Sequence, residues 1–126
     1  MPWTFEQSSG ALRDPNGVLV SVGYAGGECG ARPDAVNNPA LQDIVNVGPL
    51  PCGAYLIEAP IEHSRLGPFA LPLLPEATNE MFGRADFYMH GDTPAPGQAS
   101  DGCIIMPRAV REQVWASNDH ALSVFV

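Results

Sequence analysis

Short segments rich in apolar, β-branched and aromatic residues run along the chain, and most of them are bounded by glycine or proline. This pattern is typical of β-strands joined by tight turns. The strongest example is GVLVSVGY at 17–24, and WTFEQ at 3–7 alternates aromatic with polar residues. The other predicted strands are residues 54–59, 86–90, 103–106 and 121–126.

Two apolar segments depart from this pattern. GPFALPLLP at 67–75 is interrupted by prolines, and it predicts an edge strand or an extended segment because proline cannot donate to a strand ladder. Residues 107–117 predict the one clear helix. Pro107 suits the first helical position, and Val110 and Val114 recur with helical spacing.

Length and composition predict one domain over residues 1–126. The chain has 126 residues, 45% of them hydrophobic, which is enough for a core. Glycine and proline number 13 each, too many for a helical bundle. We therefore expect a mainly β sandwich or barrel with irregular Gly/Pro-rich loops and one C-terminal helix at about 107–117.

The net charge of −8 narrows the classes of partner. Nucleic acids and anionic membrane surfaces are disfavoured as partners, because a protein that binds either of them needs clustered Lys or Arg. No apolar run reaches the length of a membrane-spanning helix. The N-terminal segment has neither a basic region nor an apolar region of the kind found in secretory signals, so we expect synthesis in the cytoplasm without a Sec signal.

Candidate chemistry is concentrated in HGDTPAPGQASDGCIIM at 90–106. Cys103 opens a short apolar strand and His90 ends one, so a Pro/Gly loop separates a candidate nucleophile from a candidate base. The N–H groups of Gly102 and Cys103 are candidate donors to an oxyanion. Ser100 is a candidate for fixing this loop through its hydroxyl.

Other interpretations of these residues stay open at this stage. A lone cysteine is often a small buried hydrophobe, and His63 and His120 are expected to be structural. Asp92, His90 and Cys103 suggest a zinc site, but no CxxC or HExxH pattern accompanies them, so we expect no metal and no cofactor. A papain-like hydrolase is disfavoured because that class places its cysteine before its histidine.

The order of motifs around Cys103 resembles a known family. His90-Gly91, a variable loop and SDGCI at 100–104 are similar to the signature of L,D-transpeptidases, which cross-link peptidoglycan. This chain departs from it at Asp101, where those enzymes usually have a second His, and at Ile105, where Arg or Asn is usual. The loop is also shorter.

The upstream motifs point to a narrower resemblance, covering roughly residues 3–115. The chain resembles the L,D-transpeptidase-like effectors of bacterial type VI secretion systems, which implies the β-rich L,D-transpeptidase fold. The motifs that carry the resemblance are GYAG at 23–26, NP at 38–39, GPLPCGAY at 48–55, GP at 67–68, GR at 83–84 and HGD at 90–92.

This resemblance implies an antibacterial toxin that acts on peptidoglycan stem peptides in the periplasm of a target bacterium. The implied activities are L,D-carboxypeptidase cleavage of tetrapeptides and exchange of their terminal D-Ala for other D-amino acids. The implied partners are the stem peptides, a component of the secretion apparatus and an immunity protein that blocks the Cys103 cleft. We expect a monomer when the protein is free.

The resemblance also implies roles for individual residues. Cys103 is the expected nucleophile and His90 the expected general base, oriented by the backbone carbonyl of Gly91. Gly102 and Cys103 are the expected oxyanion donors. Asp101, in place of the usual His, is expected to interact with the His90 imidazolium or to bind a substrate amino group.

The expected substrate-binding residues are Arg84, Tyr24 and Asp92. Arg84 suits a substrate carboxylate, although a structural salt bridge is an equal alternative, and Tyr24 is either a cleft residue or a core residue. Cys29 and Cys52 are candidates for a disulfide in an oxidising periplasm. Two alternative functions stay open, a non-catalytic peptidoglycan-binding domain and a different Cys amidase or endopeptidase of the cell wall.

Overall fold

The computed structural model describes residues 2–126. Its strands are β1 (Trp3–Glu6), β2 (Ala11–Arg13), β3 (Leu19–Val22), β4 (Tyr24–Ala25), β5 (Gly53–Ile57), β6 (Ile61–His63), β7 (Gly67–Pro75), β8 (Phe87–His90), β9 (Ile104–Ile105) and β10 (Ala121–Phe125), and its helix α1 is Arg108–Ala116. Short 3₁₀ turns occupy Glu28–Gly30, Pro33–Ala35 and Pro39–Leu41. The prediction of a mainly β fold with one C-terminal helix is confirmed.

Nine strands in residues 2–126 form a nearly closed mixed barrel, in the order β3-β2-β1-β10-β5-β7-β8-β9-β4. The two ends of this order, β3 and β4, are separated in the chain by Gly23 alone. The predicted strand at 17–24 is therefore broken at Gly23, and its two parts pair with β2 on one side and β9 on the other. Two neighbouring pairs are parallel, β1 with β10 and β8 with β9.

The apolar side chains on the inner face of the barrel fill its interior. Trp3 and Phe5 of β1, Tyr55 of β5 and Leu122 and Val124 of β10 are all at most 2% exposed. Alternation along each strand directs these side chains to one core, where each large apolar side chain contributes roughly 1.5–3 kcal/mol.

The prediction that residues 67–75 form an edge strand is wrong. β7 lies inside the sheet, with β8 on one side and with β6 and β5 sharing the other. Pro72 is tolerated because it lies between the residues of β7 that pair with β6 and those that pair with β5. Its carbonyl accepts a hydrogen bond from the Glu58 N–H at 2.9 Å, just beyond the end of β5.

Helix α1 begins one residue later than predicted, because Pro107 is its N-cap and not its first helical residue. Val114 faces the core, and α1 contacts β7 and β8. In the described residues, no helix has the length and apolar character needed to cross a membrane.

Candidate active site

The parallel pairing of β8 with β9 brings His90 and Cys103 to one region of the barrel. Met89 lies opposite Ile104 and His90 opposite Ile105, so Cys103 directly precedes the paired part of β9. The Tyr88 N–H points at the Cys103 sulfur, with 3.3 Å between N and Sγ. The two residues are thirteen positions apart in the sequence, and the pairing of β8 with β9 closes the loop between them.

Cys103 is held as a neutral thiol. Its side chain is 5% exposed, and burial raises its pKa to about 12, opposed by the hydrogen bond from the Tyr88 N–H. The charge of Asp101 acts in the same direction as burial. A thiol in this state needs a base to remove its proton before it can act as a nucleophile.

His90 is held as a neutral imidazole. Its ring is buried, and burial lowers its pKa below the ordinary value, opposed by the hydrogen bond to Gly91. The nearby charge of Arg111 lowers the pKa further. Nδ1 lies 2.9 Å from the Gly91 carbonyl oxygen. Because a carbonyl only accepts, Nδ1 carries the proton and Nε2 is left as the acceptor.

No hydrogen bond joins the His90 ring to the Cys103 thiol within residues 2–126. The His90 ring and the Cys103 thiol therefore belong to one region of the barrel but are not hydrogen-bonded to each other. Nucleophile and base pairs are often looser in a free enzyme than in its substrate complex, so the absence of this hydrogen bond is compatible with proton transfer on substrate binding.

Ser100 fixes the loop in front of Cys103. Its hydroxyl oxygen accepts hydrogen bonds from the N–H groups of Gly26 at 2.8 Å and Gly102 at 3.0 Å. The same hydroxyl donates to the Cys103 carbonyl at 2.6 Å. The side chain is 1% exposed, so one buried hydroxyl joins the β4 end of the barrel to the Cys103 loop.

Gly102 has no room for a side chain. Its φ of 152° is one that other residues rarely adopt, and an added Cβ would lie 2.7 Å from both the Arg84 guanidinium and the Phe87 ring. The Gly102 carbonyl accepts from the Leu50 N–H at 2.9 Å. The Gly102 N–H already donates to Ser100, so in this state it is directed at the protein and not at the cleft.

The guanidinium of Arg84 is buried and is hydrogen-bonded within the protein. It is 6% exposed, and both terminal nitrogens donate to backbone carbonyls. Its acceptors are the carbonyls of Gln42, Pro49 at 2.8 Å, Gly48 at 2.9 Å and Asp101 at 3.2 Å. The salt-bridge alternative is wrong, because no carboxylate in the described chain pairs with Arg84. The expected contact with a substrate carboxylate stays a prediction, and these contacts favour a positioning role.

Tyr24 and Asp92 meet at the wall of the site. The Tyr24 hydroxyl donates to an Asp92 carboxylate oxygen at 2.6 Å and accepts from the Ala99 N–H at 3.0 Å. Burial raises the pKa of Tyr24, and the hydrogen bond to Asp92 adds to this shift. Asp92 also accepts from the N–H groups of Thr93 and Gly97, so it shapes the loop after His90.

Two neighbouring cavities open at this site. The His90 cleft, about 310 Å³, is lined by His90, Gly91, Asp92, Cys29, Gln98 and Arg65 among others. The Cys103 cleft, about 370 Å³, is lined by Cys103, Asp101, Arg84, Phe87, Asp86 and Arg65 among others. Arg65 belongs to both linings. Cys103 and His90 thus line different cavities, and the two cavities have Arg65 in common.

Three residues of this site were not predicted from the sequence. Arg65 lines both clefts, Cys29 lines the His90 cleft, and Arg111 lies behind Gly91, where an added Cβ would be 2.9 Å from its guanidinium. None of them stands in a motif that names a function. Only a count of which arginines are already paired would have singled out Arg65.

The structure also describes the other residues that the sequence singled out, Asp101 and the remaining cysteines. Asp101 is half-buried in the lining of the Cys103 cleft. The disulfide considered for Cys29 and Cys52 is absent, since all three cysteines lie in the described residues and are free. Cys52 instead donates its thiol hydrogen to Gln7 at 3.2 Å. The described residues contain no group of three His, Cys, Asp or Glu side chains that could hold a metal ion.

The other two histidines lie outside both cavity linings. Nδ1 of His63 accepts from the backbone of the β6–β7 turn, at 3.1 Å each from the N–H groups of Arg65 and Leu66. His120 stacks on Trp115 with ring centres 4.1 Å apart. Both positions agree with the structural roles expected for them.

Comparisons with known proteins give one family. Comparison with curated proteins and with solved structures yields no match. The model of the Tlde1 domain matches residues 29–126, which include β5 to β10, helix α1 and the whole of the His90–Cys103 loop. This match covers well over half of the chain, and the chain belongs to the Tlde1 domain family of type VI L,D-transpeptidase effectors.

Proposed function

We propose that this protein is a cysteine-dependent enzyme that cuts peptidoglycan stem tetrapeptides between their third and fourth residues. In the same proposal, it also exchanges the terminal D-Ala for other D-amino acids. Family membership implies an L,D-transpeptidase-like effector delivered by type VI secretion. The observation that carries the finer proposal is a neutral His90, fixed through Nδ1 on the Gly91 carbonyl, on the strand whose pairing with β9 brings the buried thiol of Cys103 to the same region of the barrel.

The first half-reaction forms a thioester. His90 Nε2 takes the Cys103 thiol proton as the sulfur attacks the carbonyl carbon of the third stem residue. The amide bond to D-Ala breaks, and the imidazolium returns the proton to the leaving amine. The tripeptide stem is left bound to Sγ through its carbonyl carbon.

The second half-reaction releases this stem. His90 removes a proton from an incoming water or from the amine of a D-amino acid, which attacks the thioester carbonyl. The carbon–sulfur bond breaks and the thiol is restored. Water gives a tripeptide, and a D-amino acid gives a tetrapeptide with a new fourth residue.

The oxyanion of each step needs donors close to Cys103. We assign this role first to the Cys103 N–H, because the Gly102 N–H donates to Ser100 in the free protein. Ser100 holds the loop in place through Gly26 and the Cys103 carbonyl. Asp101 and Asp92 line the two clefts as acidic groups suited to a substrate ammonium.

The test is a digest of defined muropeptides. Tetrapeptide-bearing muropeptides are incubated with the wild-type protein, with Cys103→Ala and with the control Cys52→Ala, and the products are weighed by mass spectrometry with and without D-Met. We expect loss of one alanine from the tetrapeptide, and a D-Met product when D-Met is added. Cys103→Ala abolishes both, and Cys52→Ala keeps both.

Two results would contradict the proposal. Unchanged tetrapeptides with wild-type protein would remove the stated substrate and favour a non-catalytic peptidoglycan-binding domain. Cleavage at a different bond would favour another cell-wall amidase or endopeptidase.

The same proposal includes a protein partner. A cell that makes this enzyme needs protection from it, so we propose an immunity protein that covers the Cys103 cleft. The charge of −8 favours a basic binding face on that partner. Co-purification of the pair, with loss of tetrapeptide cleavage on addition of the partner, tests this. Undiminished cleavage by the saturated complex would contradict it.

A further inference from the structure

An enzyme that removes only the last residue of a stem peptide needs a group that recognises a free terminal carboxylate. Arginine is suited to this because its guanidinium makes paired hydrogen bonds to carboxylates. The chain contains no lysine and six Lys and Arg residues in total, so all six are arginines. Their contacts leave few of them able to bind an anion.

Two arginines at the surface, Arg32 and Arg108, are paired with acidic neighbours. Arg32 contacts Asp34 with 2.8 Å between nitrogen and oxygen, and Arg108 contacts Glu112 at 3.3 Å. Neither arginine lines the His90 cleft or the Cys103 cleft.

Two buried arginines donate to the backbone. Arg84 holds the carbonyls described above, and Arg111 donates to the carbonyls of Met106 at 3.1 Å, Pro68 at 3.0 Å and Phe69 at 2.9 Å. Arg13, on β2, is exposed and lies outside both cavity linings. Of the six arginines, Arg65 is left as the candidate for binding an anion in the clefts.

Arg65 is exposed and lines both clefts. Its guanidinium makes no hydrogen bond and no ion pair with any of residues 2–126. Its charge lowers the pKa of both His90 and Cys103, so a guanidinium with five unused donors lies near both residues.

The backbone under Arg65 is fixed. His63 Nδ1 accepts from the Arg65 and Leu66 N–H groups, which holds the β6–β7 turn closed. The His63 ring in turn packs edge-on against Tyr88 of β8, with ring centres 5.2 Å apart. Because β8 also carries His90, the turn that carries Arg65 is held against the strand that carries the candidate base.

We propose that Arg65 binds the terminal carboxylate of the stem peptide and makes the enzyme selective for peptides with a free C-terminus. The inference rests on the proposed function, and it deepens it by naming the specificity-determining residue. A carboxylate on the fourth residue lies one residue from the attacked carbonyl, which matches an unpaired cation that belongs to the linings of both clefts.

The other charges around the clefts strengthen this requirement. Asp92 lines the His90 cleft, and Asp86 and Asp101 line the Cys103 cleft. A substrate carboxylate entering this acidic surface has no other unpaired cation to meet in either lining. Removing Arg65 therefore leaves it facing like charges.

The test compares two substrates that differ only at the C-terminus, a stem tetrapeptide with a free carboxylate and the same peptide as a C-terminal amide. The proteins are wild type, Arg65→Gln, Arg65→Lys and the exposed control Arg13→Gln. The readouts are kcat and KM for release of D-alanine or D-alanine amide. Thermal unfolding of each variant checks the fold.

We expect the wild type to prefer the carboxylate. Arg65→Gln lowers kcat/KM for the free acid about 10- to 100-fold, mainly through KM, the size expected for losing a charge-assisted pair. It leaves the amide unchanged, so the preference disappears. Arg65→Lys keeps part of the preference, and Arg13→Gln keeps all of it.

Two outcomes overturn the inference while the proposed function stands. One is an Arg65→Gln protein that keeps the wild-type preference for the acid. The other is an equal loss on both substrates, which would give Arg65 a role unrelated to the carboxylate. A wild-type protein that releases neither alanine nor its amide would overturn the proposed function itself.

Discussion

At the scale of single residues, the candidate site contains a neutral thiol, Cys103, and a neutral imidazole, His90. Burial raises the pKa of the Cys103 thiol to about 12 and lowers the pKa of His90 below its ordinary value. A preformed thiolate–imidazolium pair is therefore disfavoured in the free protein. In the proposed mechanism, proton transfer therefore accompanies attack on the substrate, and the activity is expected to depend on an unprotonated His90.

The pH dependence of kcat/KM tests this state of His90. Because the neutral ring is the active form and its pKa is lowered, we expect the acidic limb of the profile to have its midpoint below 6.5, the ordinary value. The measurement is D-alanine release at low substrate concentration between pH 4 and 8. A midpoint above 6.5 would show instead that the imidazolium is stabilised.

Replacing Ser100 by Ala tests the buried hydroxyl. The change leaves the N–H groups of Gly26 and Gly102 without their acceptor, and we expect the free energy of unfolding to fall by about 2–4 kcal/mol. Denaturant unfolding measures it, with the exposed Ser64→Ala as the control. Equal stabilities for the two variants would contradict the role given to Ser100.

At the scale of secondary-structure elements, two buried arginines join segments that the strand ladders leave apart. Arg84 ties the 42–49 segment to the Cys103 loop. Arg111 ties α1 to the start of β7 and to the end of β9. Both act on backbone carbonyls, which carry no side-chain signature in the sequence.

Arg111→Met tests the second of these ties. Three buried carbonyl contacts are lost, and we expect a loss of about 2–4 kcal/mol in the free energy of unfolding. Removal of the positive charge also raises the pKa of His90, which a histidine NMR titration detects. Arg108→Gln on the same helix removes only an exposed pair and is expected to cost below about 1 kcal/mol. An unchanged His90 titration in Arg111→Met would contradict the electrostatic part.

The elements that the sequence predicts best are those whose pattern is local. The strands at Trp3–Glu6, Phe87–His90 and Ala121–Phe125 lie within one or two residues of their predicted bounds. The place of β7 inside the sheet was mispredicted because the tolerance for Pro72 depends on where β5 ends, which is a tertiary fact.

The candidate site divides in the same way. His90 and Cys103 were predicted because their residue types suit a base and a nucleophile, and because the motifs around them resemble the L,D-transpeptidase signature. The contacts of Arg84, Arg111 and Arg65 depend on carbonyls and cavities formed by segments far apart in the sequence. Local patterns hold no information about these.

At the scale of the whole molecule, the barrel keeps several titratable groups buried in uncharged forms, among them His90 and Cys103. Below pH 6.5 the unfolded chain protonates its histidine while folded His90 resists, so the free energy of unfolding falls as the pH decreases through this range. Above pH 9.0 the unfolded chain loses the thiol proton that folded Cys103 retains, so stability falls as the pH rises.

Unfolding experiments over pH 4–10 test this statement for the molecule. The wild type is expected to lose stability at both ends of the range. His90→Asn is expected to reduce the slope on the acidic side, and Cys103→Ala to reduce the slope on the alkaline side. A residual alkaline slope is expected, because the pKa values of Cys29, Cys52, Tyr24 and Tyr55 are also raised in the folded protein. Parallel curves for the wild type and both variants would show that neither group carries the dependence.

In the proposed mechanism Cys103 carries the stem peptide as a thioester, and rapid quenching of the reaction tests for this intermediate directly. Wild type and Cys103→Ala are mixed with a tetrapeptide stem and quenched in acid, and released D-alanine and the mass of the protein are both measured. We expect D-alanine release by the wild type, with the substrate mass less one alanine added on the peptide that contains Cys103, and neither signal for the variant. D-alanine release by Cys103→Ala at the wild-type rate would contradict it.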